Sequence, residues 1–246
     1  MRYSRQSDLV DTKIFCTPLN VIGCGAVGSF VVLSLAKMGF ADITVWDSDL
    51  IDEENISNQF YPLKMVGINK AEALGELIGK FEDIKINCIP KNWKGEQLKG
   101  LVLSCVDGMK VRSQLFNHVT RCKKVVGFID ARMGGYQAEI YTINPHLKED
   151  KGIYRKNLYT DDMATTIPCT QKAVIFNVLT LCGILVNMVR IYLSGQEYSR
   201  VLWLDLANND IHKPNFMDKK IEREAASLPL GVEKIRVDLT NTRIEV

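Results

Sequence analysis

Gly23-Cys24-Gly25-Ala26-Val27-Gly28 follows an apolar run and leads into a helical pattern. Asp47 closes the next apolar stretch, Ile43-Thr44-Val45-Trp46, nineteen residues after Gly28. In such a turn the first glycine permits the tight bend, the second lets backbone approach a phosphate, and the third lets the helix pack closely on the sheet. Free N–H groups and the positive end of the helix dipole attract anionic oxygen there. A carboxylate at the end of the second strand accepts hydrogen bonds from ribose hydroxyls. The chemistry on offer is nucleotide binding. The glycine pattern alone is often no more than a strand–helix turn, but a flanking strand, a helix and a second-strand Asp favour a nucleotide.

The elements that must position these residues alternate as a parallel sheet requires. Strands are expected at 19–22, 43–47, 84–89, 101–106 and 124–129, and helices at 26–38, 70–81 and 110–121. Residues 136–143 alternate and predict an antiparallel extension. Right-handed crossovers place helices on both faces and gather the strands' carboxyl ends at one edge, where ligands bind. Asp47, Asp107 and Asp130 fall at or just past strand ends on that edge. Residues 144–168 show little periodicity and read as a long surface connection, of the kind that is functional or disordered. Farther on, 201–206 reads as a strand, 217–226 as a short polar helix and 235–246 as terminal strands.

Composition bounds the rest. The chain of 246 residues carries 31 basic and 29 acidic residues, a formal charge of +2, so no electrostatic case for nucleic acid arises. Seven cysteines (16, 24, 88, 105, 122, 169 and 182) include no CxxC pair, which suggests neither a disulfide framework nor a zinc site; a reducing, cytoplasmic setting is expected. His118, His146 and His212 have no metal-ligand spacing. The N-terminal residues lack an apolar leader core and read as part of the mature protein. Residues 173–193 are long and apolar, but Asn177, Gly183, Asn187 and Arg190 favour a buried helix on a sheet over a membrane span.

Together the motifs resemble the ThiF/MoeB/HesA superfamily, adenylating enzymes related to ubiquitin-activating enzymes. Carrying the resemblance are Arg2-Tyr3-Ser4-Arg5-Gln6, the glycine turn, Asp47-Ser48-Asp49, Asn55, Gln59, Lys70, Asp107 with Arg112, and Arg132-Met133-Gly134-Gly135. It implies a Rossmann-like, mostly parallel α/β sheet with helices on both faces and an antiparallel extension toward the C-terminus. The adenylation domain would span 1–195, crossover loop 144–170 included, with 196–246 as an extension of the same domain.

The implied activity is ATP-dependent adenylylation of the C-terminal carboxylate of a ubiquitin-like or sulfur-carrier-like protein, or of a peptide. The carboxylate attacks the α-phosphorus and pyrophosphate leaves, so cations must stand ready for the charge on phosphate oxygens. By the resemblance, Gly23, Gly25, Gly28, Asp47, Asn55, Asn58 and Lys70 bind nucleotide, Asp107 holds Mg²⁺, and Arg5 reaches into the neighbouring subunit of a homodimer. Ile167-Pro168-Cys169-Thr170 resembles the Cys-Thr signature at which such enzymes form a thioester, leaving transfer to Cys169 as an open second step. No zinc, nucleic acid or membrane is expected.

Each of these residues also has a plainer reading. Lys70 suits a solvated lysine at a helix start, Asp107 a helix N-cap, Asn55 a turn cap, Arg5 a terminal charge and Cys169 a small residue packed at a helix start. Asp130 reads as structural, and Arg112 as an ion-pair residue supporting the site. Asn58 stands where many members of the superfamily carry arginine and cannot make a bidentate phosphate clamp. Two further readings follow: an NAD-dependent oxidoreductase, which shares the glycine turn and Asp47, and a non-catalytic scaffold subunit of a heterodimeric activating enzyme.

Overall fold

The computed structural model describes residues 3–160 and 173–213. Eight strands form one sheet in the order β3-β2-β1-β4-β5-β6-β7-β8. These are β1 (Leu19–Ile22), β2 (Ile43–Trp46), β3 (Asn87–Ile89), β4 (Gly100–Ser104), β5 (Val125–Gly134), β6 (Gln137–Ile143), β7 (Val201–Asp205) and β8 (Asp210–His212). The first five pair in parallel and the last three antiparallel. The expected architecture is therefore present: a mostly parallel sheet that turns antiparallel toward the C-terminus.

Strand alternation sends successive side chains to two cores. Leu19, Val21, Leu101 and Leu103 pack under α1 (Ala26–Met38), α2 (Lys70–Glu82) and α5 (Ile175–Leu193). Ile22, Val102 and Phe128 point the other way, beneath α3 (Met109–Val119) and α4 (Lys148–Lys156), which contribute Leu115, Phe116 and Tyr154. α5 is apolar and long enough, by length and composition, to cross a membrane. In the structure its stripe of Val178, Leu181, Leu185 and Val189 is buried in the first core, and Cys182 Sγ lies 3.4 Å from the Val27 carbonyl of α1.

Two expectations need correction. Residues 144–168 are not one continuous connection, because α4 forms within them. Its sequence shows no apolar stripe since it is anchored by polar contacts: the buried Asp150 accepts from Asn144 N, Tyr198 Oη and Arg200 Nε, and the Tyr154 hydroxyl donates to Asp130 at 2.9 Å. β5 also continues five residues beyond the expected end at 129, which places Asp130 within the strand rather than past its tip. The expected elements at 217–226 and 235–246 lie outside the described residues.

Candidate active site

The glycine turn joins β1 to α1. Gly23 has φ +94°, and a Cβ there would come within 2.6 Å of the Cys105 carbonyl oxygen. A Cβ on Gly28 would sit 1.9 Å from the Gly23 carbonyl oxygen, so the helix can begin here only on glycine. Around Gly25 a Cβ would meet nothing within 4 Å. That open volume lies at the start of α1, whose N-cap is Gly25 and has no side-chain cap bond. The first N–H groups of the helix are thus left for an external acceptor, the arrangement that binds phosphate.

Neighbouring elements hold the turn from two sides. Asp47 Oδ2 accepts from Cys24 N at 2.7 Å and Oδ1 from Asp49 N at 2.9 Å. The Tyr61 hydroxyl donates to the Cys24 carbonyl at 2.7 Å and lies 3.2 Å from that of Lys70. Both backbone groups of Cys24 are therefore fixed. Burial raises the Asp47 carboxyl above its ordinary value, against the lowering by its two N–H donors and Lys70. Burial also pushes the Cys24 thiol well up, which makes it a packing group and not a nucleophile.

Asn69 ties β2 to α2. It caps the helix by accepting from Ala71 N and Glu72 N, while its amide donates to the carbonyls of Asp47 and Asp49 at 3.1 Å each. This cap delivers Lys70 to the site. Lys70 is 8% exposed, so the solvated-lysine reading fails, and its Nζ pairs with Asp49 Oδ2 at 3.2 Å. The Asp49 side chain is 66% exposed, leaving one face of the pair open to solvent.

Asp107 is exposed in the loop after β4, and the N-cap of α3 is Gly108 with no side-chain cap bond. The capping role is thus not the one Asp107 plays. Its loop is held from behind: Arg112 donates to the Val106 carbonyl and pairs with the fully buried Asp130, which also receives Arg132 Nε at 2.8 Å. Burial raises the Asp130 carboxyl, and the two guanidinium groups outweigh that and hold it below the usual carboxylate range. Among the described residues no group of three or more His, Cys, Asp or Glu could hold a metal ion. A Mg²⁺ carried by phosphates needs only one or two protein carboxylates, and unspent Asp107 fits that demand.

The remaining expected residues are less concentrated. Asn55 Oδ1 accepts from Asp52 N at 3.1 Å, so it does close a capping box. Asn58 donates to the Ala173 carbonyl at 3.2 Å, linking the β2–α2 loop to the start of α5. Arg5 is exposed on a short 3-10 turn, Ser4–Gln6, with no ion pair to a site residue. Cys169 lies outside the described residues. Tyr61 and Asn69 were not legible as site residues, because nothing in their spacing announces which backbone groups they bridge. Asp49 had a signal, the repeated carboxylate of Asp47-Ser48-Asp49.

The chain is similar to several known proteins. The chain is 25% identical over 212 residues to the sulfur carrier protein ThiS adenylyltransferase of Escherichia coli, covering 80% of this chain and 82% of that one. It is 24% identical over 254 residues to ubiquitin-like modifier-activating enzyme 5 of Caenorhabditis elegans, covering 87% and 59%. It is 31% identical over 119 residues to the adenylyltransferase and sulfurtransferase UBA4 of Yarrowia lipolytica, covering 44% of this chain and 28% of that one. The chain thus spans from about a quarter to three fifths of the length of the last and the second of these relatives. Among solved structures, E. coli MccB with AMPCPP and MccA matches 87% of the chain and 71% of its own at a TM-score of 0.71 and 17% identity, a likeness of fold. The ThiF family model matches residues 3–226, nearly the whole sequence, and the chain belongs to the ThiF family.

Proposed function

We propose that the protein is an ATP-dependent adenylyltransferase that activates the C-terminal carboxylate of a ubiquitin-like or sulfur-carrier-like protein, or of a short peptide. The observation that carries the reading is the buried Lys70, held against solvent-facing Asp49 beside a glycine turn locked by Asp47 and Tyr61. A buried ammonium whose partner can be exchanged is a cation prepared for phosphate oxygens.

In this reading the phosphates occupy the space at Gly25, and Asp47 and Asp49 take the ribose hydroxyls. Each oxygen of Asp47 accepts one backbone bond and has a second lone pair to offer. Asn55 keeps its amide N–H groups for phosphate or ribose. Lys70 shifts from Asp49 toward the α-phosphate as the substrate carboxylate attacks phosphorus and the bond to pyrophosphate breaks. Asp107 is the residue assigned to hold Mg²⁺, which supplies charge neutralisation when bound. Arg5 acts across a homodimer. In a second step the Cys169 thiolate attacks the acyl carbon, the bond to AMP breaks, and AMP leaves with the negative charge. Domain limits follow the same reading, with the adenylation unit over 1–195 and the remainder extending it.

Thermal unfolding of wild type and Asp107→Ala with Mg·ATP, with NAD and without ligand tests the proposal. A ligand at about 100 times its Kd adds roughly 2.7 kcal/mol. Stabilisation by Mg·ATP, reduced in the variant and absent with NAD, is expected. Stabilisation by NAD alone overturns the reading in favour of an oxidoreductase, and no response to either ligand overturns it in favour of a scaffold.

A further inference from the structure

On the edge of the sheet away from the glycine turn, the loop before β4 and the outer side of α3 enclose an open cleft of about 580 Å³. Gln114, Asn117, His118 and Arg121 line it at helical spacing i, i+3, i+4 and i+7, opposite the inward stripe of Arg112, Leu115, Phe116 and Val119. Lys94 and Gln97 line the facing wall. α3 has 11 residues and begins beside Asp107, so the cleft lies roughly 15 Å along the helix from the nucleotide edge.

The wall is a built element. Trp93 is buried, its Nε1 donates to the Glu96 carbonyl at 2.9 Å, and its ring meets His118 edge-on at 5.0 Å. Glu96, the acid of this loop, accepts from Lys94 N at 2.7 Å and pairs with Lys91 at 3.0 Å. Those contacts, the Lys94 backbone N–H first, hold the Glu96 carboxyl down at about 2. Its charge is therefore engaged within the loop, and no acidic residue lines the cleft. The side chains of Lys94, Gln97, Gln114, Asn117 and Arg121 have no hydrogen-bond or ion-pair partner among the described residues.

These side chains select a class of ligand. Carboxamides both donate and accept, which matches the N–H and C=O groups of an extended peptide, and Lys94 and Arg121 match carboxylates. A compact anion such as phosphate would engage Lys94 and Arg121 and leave the carboxamides of Gln97, Gln114 and Asn117 unpaired. A single-stranded nucleic acid is held by bases stacked on aromatic faces, and Trp93 is only 7% exposed. We propose that the cleft between residues 93–97 and the outer face of α3 docks an acidic peptide segment of a partner protein, independently of the nucleotide site.

Fluorescence anisotropy with the fluorescein-labelled peptide Asp-Glu-Phe-Asp-Glu tests this on the full chain. Saturable binding is expected, weakened about tenfold or more by the double substitution Lys94→Glu/Arg121→Glu and weakened also by Gln114→Ala/Asn117→Ala. Both pairs are exposed, and an unchanged unfolding temperature without ligand verifies their fold. Absence of saturable binding overturns the proposal. So does equal binding by the charge-reversed variant, or equal binding of a Lys-Lys-Phe-Lys-Lys peptide or of oligothymidylate. The cleft shares no residue with the glycine turn, so peptide binding and Mg·ATP stabilisation succeed or fail separately.

Discussion

A methyl group at position 28 would be driven into the Gly23 carbonyl oxygen, whereas one at position 25 would stand in open space. Two glycines three residues apart thus make opposite predictions. Gly28→Ala should destabilise the fold by about 3 kcal/mol, since neither backbone segment can withdraw without disturbing β1 or α1. A Cβ at Gly25 meets nothing within 4 Å, so Gly25→Ala should cost less than half as much, about 1 kcal/mol. It should nevertheless abolish stabilisation by Mg·ATP, because the new methyl fills the place assigned to phosphate. Urea unfolding with and without nucleotide reads both effects. The glycine spacing made the turn legible in advance, but which glycine serves the fold and which the ligand depends on what stands opposite each.

At the scale of elements, Asp130 is the junction. It joins α3 through Arg112, β5 through Arg132 and α4 through Tyr154. Asp130→Ala leaves two guanidinium groups buried without their carboxylate and should cost about 3–5 kcal/mol. Since the folded carboxyl titrates below its unfolded value, the stability it confers is fully present above the unfolded pKa of about 3.9 and is lost as pH falls through the lower folded value. The gap between wild type and Asp130→Asn should therefore be widest near neutrality and narrow below about pH 4, measured by urea unfolding at each pH. The structural reading of Asp130 and the supporting role of Arg112 agree with the sequence. The partner on α4 was hidden because that helix is held by Asp150 and Tyr154 and carries no apolar stripe.

For the whole molecule, parallel order from β3 through β5 brings the glycine turn, Asp47 and Asp107 to one edge of the sheet. Arg5 is exposed and makes no ion pair with a described residue of that edge, as an arginine serving a neighbouring subunit would do. If it completes the site of a second copy, co-expressing Arg5→Ala with Lys70→Ala should restore activity that neither variant has alone. Hybrid dimers would be half of the population with one intact site each, which sets recovery at about a quarter of wild type. ATP–pyrophosphate exchange with a cognate carrier measures it. No recovery would place Arg5 in the same subunit's site or outside it.

The sequence by itself determined the alternation of strands and helices through β5, the glycine turn and the places of Asp47, Lys70 and Asp107 along the chain, because these follow from local periodicity and fixed spacing. Only the tertiary structure decided that Lys70 is buried on Asp49, that Tyr61 and Asn69 brace the turn, and that Arg112 secures the loop of Asp107 through Asp130. Those are contacts between residues 6 to 37 positions apart along the chain, chosen by packing and by the need of every buried polar group for a partner. Spacing along a chain carries no record of such a partner until the sheet has brought the two together.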